Sequence, residues 1–102
     1  MLRIDLANEV YSVEELPREY LCLGGRGLTV KLLLKETDPA CDPLGSGNKF
    51  ILAIGPLAGT GVSSSGRLSV GGKSPLTGGI KEANAGGTAA TALARLGYRA
   101  VI

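Results

Sequence analysis

Sixteen of the 102 residues are glycine, about twice the roughly 7% of ordinary usage, and they are not evenly spread. They gather at Gly24-Gly25, Gly45 and Gly47, Gly59 and Gly61, Gly71-Gly72, Gly78-Gly79 and Gly86-Gly87. No collagen-like period runs through them. Clustered glycine calls for tight turns, or for backbone that must come close to something, because a residue without Cβ takes such conformations without strain. The chain is therefore expected to fold as elements separated by backbone-defined turns.

Charge and composition narrow the partners. The net charge is +2 with no run of like charges, which gives no electrostatic footprint for nucleic acid. Three Tyr, one Phe and no Trp make no base-stacking platform. A hydrophobic share of 44% is too high for a disordered chain, and the length suits one domain with a modest core. The longest apolar run, Phe50 to Ile54, falls far short of the ~20 residues that span a bilayer. The N-terminus is not built like a signal peptide. The expectation is a cytoplasmic chain with no nucleic-acid and no membrane partner. Cys22 and Cys41 are isolated from each other and form no zinc or iron–sulfur motif. Histidine is absent, which removes Ser-His-Asp and Cys-His catalysis and the commonest metal ligand. No catalytic residue and no metal ligand is expected in this chain.

Periodicity places the elements. Leu2 to Leu6 alternates apolar and polar, the pattern of a half-buried strand, and Val10 to Glu14 reads as a second. Ala7-Asn8 between them suits a tight turn. Leu16 to Leu23 reads as a short helix with Pro17 in its first turn. Leu28 to Glu36 reads as a longer one, with Val30, Leu33 and Leu34 on its apolar face, stopped by Asp38-Pro39. Residues 37 to 48 form a loop. Phe50 to Ile54 is a buried strand, and Arg67 to Val70 another, with a Gly/Ser turn between. Gly71 to Gly79 reads as a loop, and the stretch from Gly79 to Ala83 fits no single pattern. Thr88 to Leu96 is a helix rich in Ala and Leu, capped by Gly97, and Arg99 to Ile102 begins a last strand. That apolar end reads as a strand cut short, leaving an exposed edge over residues 99 to 102 if the chain stands alone. The fold class is α+β: a mixed, mostly antiparallel sheet with two to three packed helices.

Two phosphate-loop motifs fail on spacing. A Walker A loop ending in Gly72-Lys73-Ser74 would need glycine at position 67, which is Arg67. Neither Gly59-Thr60-Gly61 nor Gly25-Arg26-Gly27 continues as Gly-x-Gly-x-x-Gly.

What remains is an ordered set of blocks. They are Leu23-Gly24-Gly25-Arg26-Gly27-Leu28, Leu32-Leu33-Leu34-Lys35-Glu36, Asp38-Pro39 with Asp42-Pro43-Leu44, and Asn48-Lys49. Then come Gly55-Pro56-Leu57-Ala58-Gly59-Thr60-Gly61, Ser65-Gly66-Arg67, Lys73-Ser74-Pro75-Leu76-Thr77-Gly78, Glu82-Ala83-Asn84-Ala85-Gly86-Gly87 and Leu96-Gly97-Tyr98. In this order the blocks resemble the N-terminal domain of the tungsten-containing aldehyde:ferredoxin oxidoreductase family, from Arg3 to Ile102.

The resemblance implies a part of a larger cofactor-binding base domain, in an enzyme that oxidises aldehydes to carboxylic acids and passes electrons to ferredoxin. It implies a tungsten (or molybdenum) bis-pterin cofactor whose two pterins are bridged by Mg, and a [4Fe-4S] cluster bound by segments absent here. By the same resemblance Arg67 is a pterin contact, suited by its fork geometry to phosphate. Asn84 lies near the cofactor phosphates and the Mg. Gly86 and Gly87 offer backbone to phosphate at the start of the following helix. Lys73 and Ser74 either face the cofactor or shape their loop. Arg26 reads as structural, tying the loop between two helices. Thr88 stands where the family carries an aromatic residue. The implied partners are the remainder of the oxidoreductase or a partner subunit, ferredoxin and an aldehyde, with homo-oligomeric assembly left open. The alternative is a stand-alone split subunit or remnant binding module without catalysis.

Overall fold

The computed structural model describes residues 1–102, and six strands, two α-helices and one 3₁₀ turn account for its regular structure. Strands β1 (Leu2–Asp5) and β2 (Val10–Val13) pair antiparallel. Their turn is fixed by Asp5, whose Oδ1 accepts from the amides of Ala7 at 2.9 Å and Asn8 at 3.1 Å. The left-handed residue in that turn is Glu9.

The expected helix from Leu16 to Leu23 shrinks to one 3₁₀ turn, Arg18–Tyr20. So short a segment cannot offset the cost of helix nucleation. Two tertiary contacts fix it instead. Tyr20 is buried, and the Leu23 carbonyl accepts from Arg99 Nη2 at 2.7 Å.

Helix α1 (Arg26–Glu36) buries Leu28, Thr29, Leu32 and Leu33, the i, i+1, i+4, i+5 stripe of one helical face. Leu34, expected on that face, is 69% exposed. The reason lies across the interface. A Cβ on Gly71 would sit 2.4 Å from Thr29 Cγ2, so the glycine lets α1 dock through Thr29 and rotates its buried face accordingly.

The sheet is completed by β3 (Ile51–Ile54), β4 (Leu68–Lys73), β5 (Ile80–Ala85) and β6 (Ala100–Val101). The order is β2-β1-β6-β3-β4-β5. Only β1 with β6 is parallel; the other neighbouring pairs are antiparallel. The expected α+β class with a mixed, mostly antiparallel sheet is what forms. Two strand expectations are corrected. Gly71, Gly72 and Lys73 continue β4 instead of starting a loop, because β5 supplies ladder partners as far as Ile80. Residues 100–101 form no exposed edge: β6 is inserted between β1 and β3.

The main core lies between α1 and the sheet, where Tyr20, Leu28, Leu32, Leu33, Ile51, Ala53 and Ala100 meet. Helix α2 (Ala89–Arg95) covers a smaller cluster, Ile54, Ala58 and Ala90. It ends at Gly97, and the Tyr98 amide reaches back to Leu93 O at 3.2 Å. No helix is long and apolar enough to cross a membrane.

Candidate functional site

The register of β4 and β5 places Ser69 opposite Asn84 and Gly71 opposite Glu82. Successive side chains alternate between faces, so Ser69, Gly71, Glu82 and Asn84 point toward α1. Continued one step, the same register sets Arg67 opposite Gly86. The structure agrees: a Cβ on Gly86 would lie 3.8 Å from Arg67 Nη1.

Arg67 is exposed and takes part in none of the four ion pairs. The amides of Gly86, Gly87 and Thr88 find no backbone acceptor. Gly87 has φ +106 and open space where a side chain would stand, a conformation that glycine alone takes cheaply. A guanidinium free of ion pairs therefore lies against Gly86, the first of three residues whose amides have no backbone acceptor. This is the donor set that anionic oxygens require, and it fits a phosphate-bearing group.

Lys73 and Ser74 lie at the opposite end of β4, and their polar atoms are engaged within the fold. Lys73 Nζ donates to Pro39 O at 2.5 Å and Cys41 O at 2.6 Å. Asn48 ties the same strand end down: its Oδ1 accepts from Lys73 N at 2.9 Å, and its Nδ2 donates to Lys73 O at 3.0 Å. Ser74 Oγ accepts from the amides of Leu76 and Thr77 at 3.2 and 3.3 Å, closing the turn into β5. The structure thus gathers Arg67, Asn84, Gly86 and Gly87 at one end and leaves Lys73 and Ser74 at the other. A shallow cleft of about 390 Å³ opens beside Lys73, with Lys49, Phe50 and Lys81 on its walls. A second, of about 460 Å³, lies near Met1, Leu16 and Arg99. Neither touches Arg67.

Between the two ends runs a polar chain that spacing alone did not reveal. Thr29 Oγ1 on α1 lies within hydrogen-bond distance of both Gly25 O (3.1 Å) and Ser69 Oγ (2.9 Å). Ser69 Oγ donates to Glu82 Oε1 at 2.7 Å, and Asn84 Nδ2 donates to the same oxygen. Arg26 Nε donates to Glu82 Oε2 at 2.6 Å. The Glu82 side chain is only 8% exposed. Burial pushes its carboxyl up, but the Ser69 hydroxyl and the Arg26 guanidinium outweigh that and hold it below the usual carboxylate range. Arg26 therefore joins β5 to α1. No three His, Cys, Asp or Glu side chains converge as a metal site.

The chain is a mixed-sheet module with an unpaired guanidinium and amides lacking backbone acceptors at one strand end. Comparison with known proteins gives that module its family. Residues 1–102 match the family model described as the aldehyde ferredoxin oxidoreductase N-terminal domain. The chain is 47% identical over 103 residues to the tungsten-containing aldehyde ferredoxin oxidoreductase of Pyrococcus furiosus, covering 99% of this chain and 17% of that protein. It is 46% identical to the enzyme of the same name from Thermococcus kodakarensis, with the same coverage. Among solved structures, the active site complex BamBC of benzoyl coenzyme A reductase, in complex with 1,5-dienoyl-CoA, aligns with a TM-score of 0.90 and 32% identity. That alignment covers 98% of this chain and 16% of the other. The chain belongs to the aldehyde ferredoxin oxidoreductase family, as its N-terminal domain, and spans about one sixth of the length of these relatives.

Proposed function

We propose that this domain holds the phosphate side of a tungsten bis-pterin cofactor in a cytoplasmic oxidoreductase that converts aldehydes to carboxylic acids and passes the electrons to ferredoxin. The observation that carries the reading is the unpaired Arg67 guanidinium lying against Gly86, beside the unspent amides of Gly86, Gly87 and Thr88. Arg67 supplies charge and paired donors to phosphate oxygens. Gly86 and Gly87 let backbone N–H groups come close, and Asn84 brings a carbonyl or amide oxygen to the hard cation that accompanies the phosphates. When bound, the metal centre supplies the two-electron exchange with the aldehyde. The [4Fe-4S] cluster and the proton-transfer groups belong, in this reading, to the remainder of the enzyme. Lys73 and Ser74 keep a structural role, since their polar atoms are already engaged.

The test is anaerobic purification of this chain assembled with the rest of the oxidoreductase, followed by elemental analysis for W, Mo and Fe and fluorescence of oxidised pterin. Metal and pterin in the natural protein, with strong depletion in Arg67→Ala, are expected. A natural assembly lacking both overturns the reading and leaves a split subunit or remnant binding module. Full cofactor content in Arg67→Ala also overturns the reading, since the unpaired guanidinium is the observation that carries it.

A further inference from the structure

Strand β5 is fixed to the body in an unusual way. Ile80, Lys81, Ala83 and Ala85 are all exposed, and only Glu82 and Asn84 are drawn inward. An edge strand normally anchors through apolar side chains on its inner face. This one anchors through a carboxylate and a carboxamide hydrogen-bonded to each other.

Burying a carboxylate is costly, and an apolar residue of like size would stabilise the strand as well or better. Apolar contacts, however, are non-directional. Hydrogen bonds fix orientation. Glu82 accepts from three side chains on three different elements: Asn84 beside it on β5, Ser69 on β4 and Arg26 on α1. Thr29 extends the chain one step deeper into α1. Asn84 then leads by two residues into Gly86, against which the Arg67 guanidinium lies, Nη1 being 3.8 Å from where a Cβ would stand.

Charge gives a second reason. A bare carboxylate this close to a place for phosphates would repel them. Pairing with Arg26, and the donation from Ser69 and Asn84, offset that charge.

From these contacts we infer that Glu82 is a positioning residue of the cofactor end: it locks Asn84 to α1 through Ser69, Thr29 and Arg26, and thereby sets where the Asn84–Gly87 backbone and Arg67 stand. The inference rests on the phosphate-holding reading above.

The experiment measures tungsten and pterin per polypeptide in the assembled oxidoreductase for Glu82→Ala, Glu82→Gln, Asn84→Ala, the Glu82→Ala/Asn84→Ala double variant and Arg67→Ala. Loss of a residue that orients a ligand from behind lowers retention on the order of tenfold, and this is expected for Glu82→Ala. Glu82→Gln keeps an oxygen acceptor for Ser69 and Asn84 and restores most of the content. Because Glu82 acts through Asn84, the double variant loses no more than either single one. Full content in Glu82→Ala with depletion in Arg67→Ala overturns this inference and leaves the phosphate reading standing. Full content in both overturns the reading itself. Additive losses in the double variant also overturn the inference. If Glu82→Ala does not assemble, Glu82→Gln and Asn84→Ala decide: content unchanged in Asn84→Ala, or no better in Glu82→Gln than in Arg67→Ala, overturns it.

Discussion

The two ends of the β4–β5 pair are built from similar materials and treat them oppositely. At the Lys73 end, the ammonium donates to two loop carbonyls and Asn48 doubles as a piece of ladder. At the Arg67 end, the guanidinium has no ion-pair partner and the following glycine amides have no backbone acceptor. Both ends are cationic, near glycines and near a turn. What separates them is whether the donors are consumed by the fold. A cation engaged on carbonyls closes a loop, whereas one left free beside unspent amides can take an anion from outside.

The sharpest way to break this contrast is to remove each cation in turn. Arg67→Ala should lower cofactor content on the order of a hundredfold, the worth of a charge-assisted bidentate contact, while Lys73→Ala should leave it unchanged. Equal losses would erase the distinction. Next in size is Gly71→Ala. The added methyl would sit 2.4 Å from Thr29 Cγ2 and 3.2 Å from Lys81 O. Such overpacking costs about 2 kcal/mol, to be seen as faster amide hydrogen exchange across α1, β4 and β5. Lys73→Met should cost about 1.5 kcal/mol for the two ammonium hydrogen bonds it loses, one of them exposed, with lost protection confined to residues 39–48. The smallest effect concerns Glu36. Its oxygens accept from the Arg3 guanidinium at 2.7 Å, and that hydrogen bond, against the opposing pull of burial, holds the carboxyl below its ordinary value of 4.5. A depressed carboxylate stabilises the folded state above about pH 4.5 and loses that contribution as pH falls through its folded value. Solvent screening at this partly exposed pair, with the Arg3 and Glu36 side chains 29% and 18% exposed, keeps the effect below about 1 kcal/mol. Glu36→Gln should flatten the acid dependence of protection in β1 and α1.

Much of the fold was legible because it follows local periodicity. Alternation over residues 2–6 followed by the Ala7-Asn8 turn pointed to the hairpin, though β2 is exposed along its length instead of half-buried; the apolar run before Gly55 pointed to β3, and the Ala/Leu stretch before Gly97 to α2. The misreadings have a common source. Gly71-Gly72 reads as loop because glycine is scarce in strands, yet here its missing side chain lets Thr29 and the Lys49 carbonyl approach. Of the face read as apolar on α1, Leu33 is buried and Val30 half-buried, but Leu34 is exposed, because the partner that turns the helix lies 42 residues away, at Gly71 opposite Thr29. The candidate site was legible by family pattern at Arg67 and at Asn84–Gly87. The network of Thr29, Ser69, Glu82 and Arg26 was not, since its hydrogen bonds join residues 13 to 56 positions apart. A lone Glu beside a lone Ser carries no signal until a sheet register sets them face to face.

The position of β6 has a consequence for how the sheet comes into being. Ile4 N donates to Ile102 O at 2.8 Å, and Ile102 N donates to Leu2 O at 2.9 Å, so the earliest-made strand is sealed by the last-made residues of this stretch. On the ribosome, β1–β2 and β3–β5 must wait as separate ribbons, and a lone hairpin is marginal in water. Contacts between such distant positions make for slow folding, and both inner edges stay open to wrong partners meanwhile. Deleting residues 100–102 would not trim this sheet at its border; it would divide it down the middle.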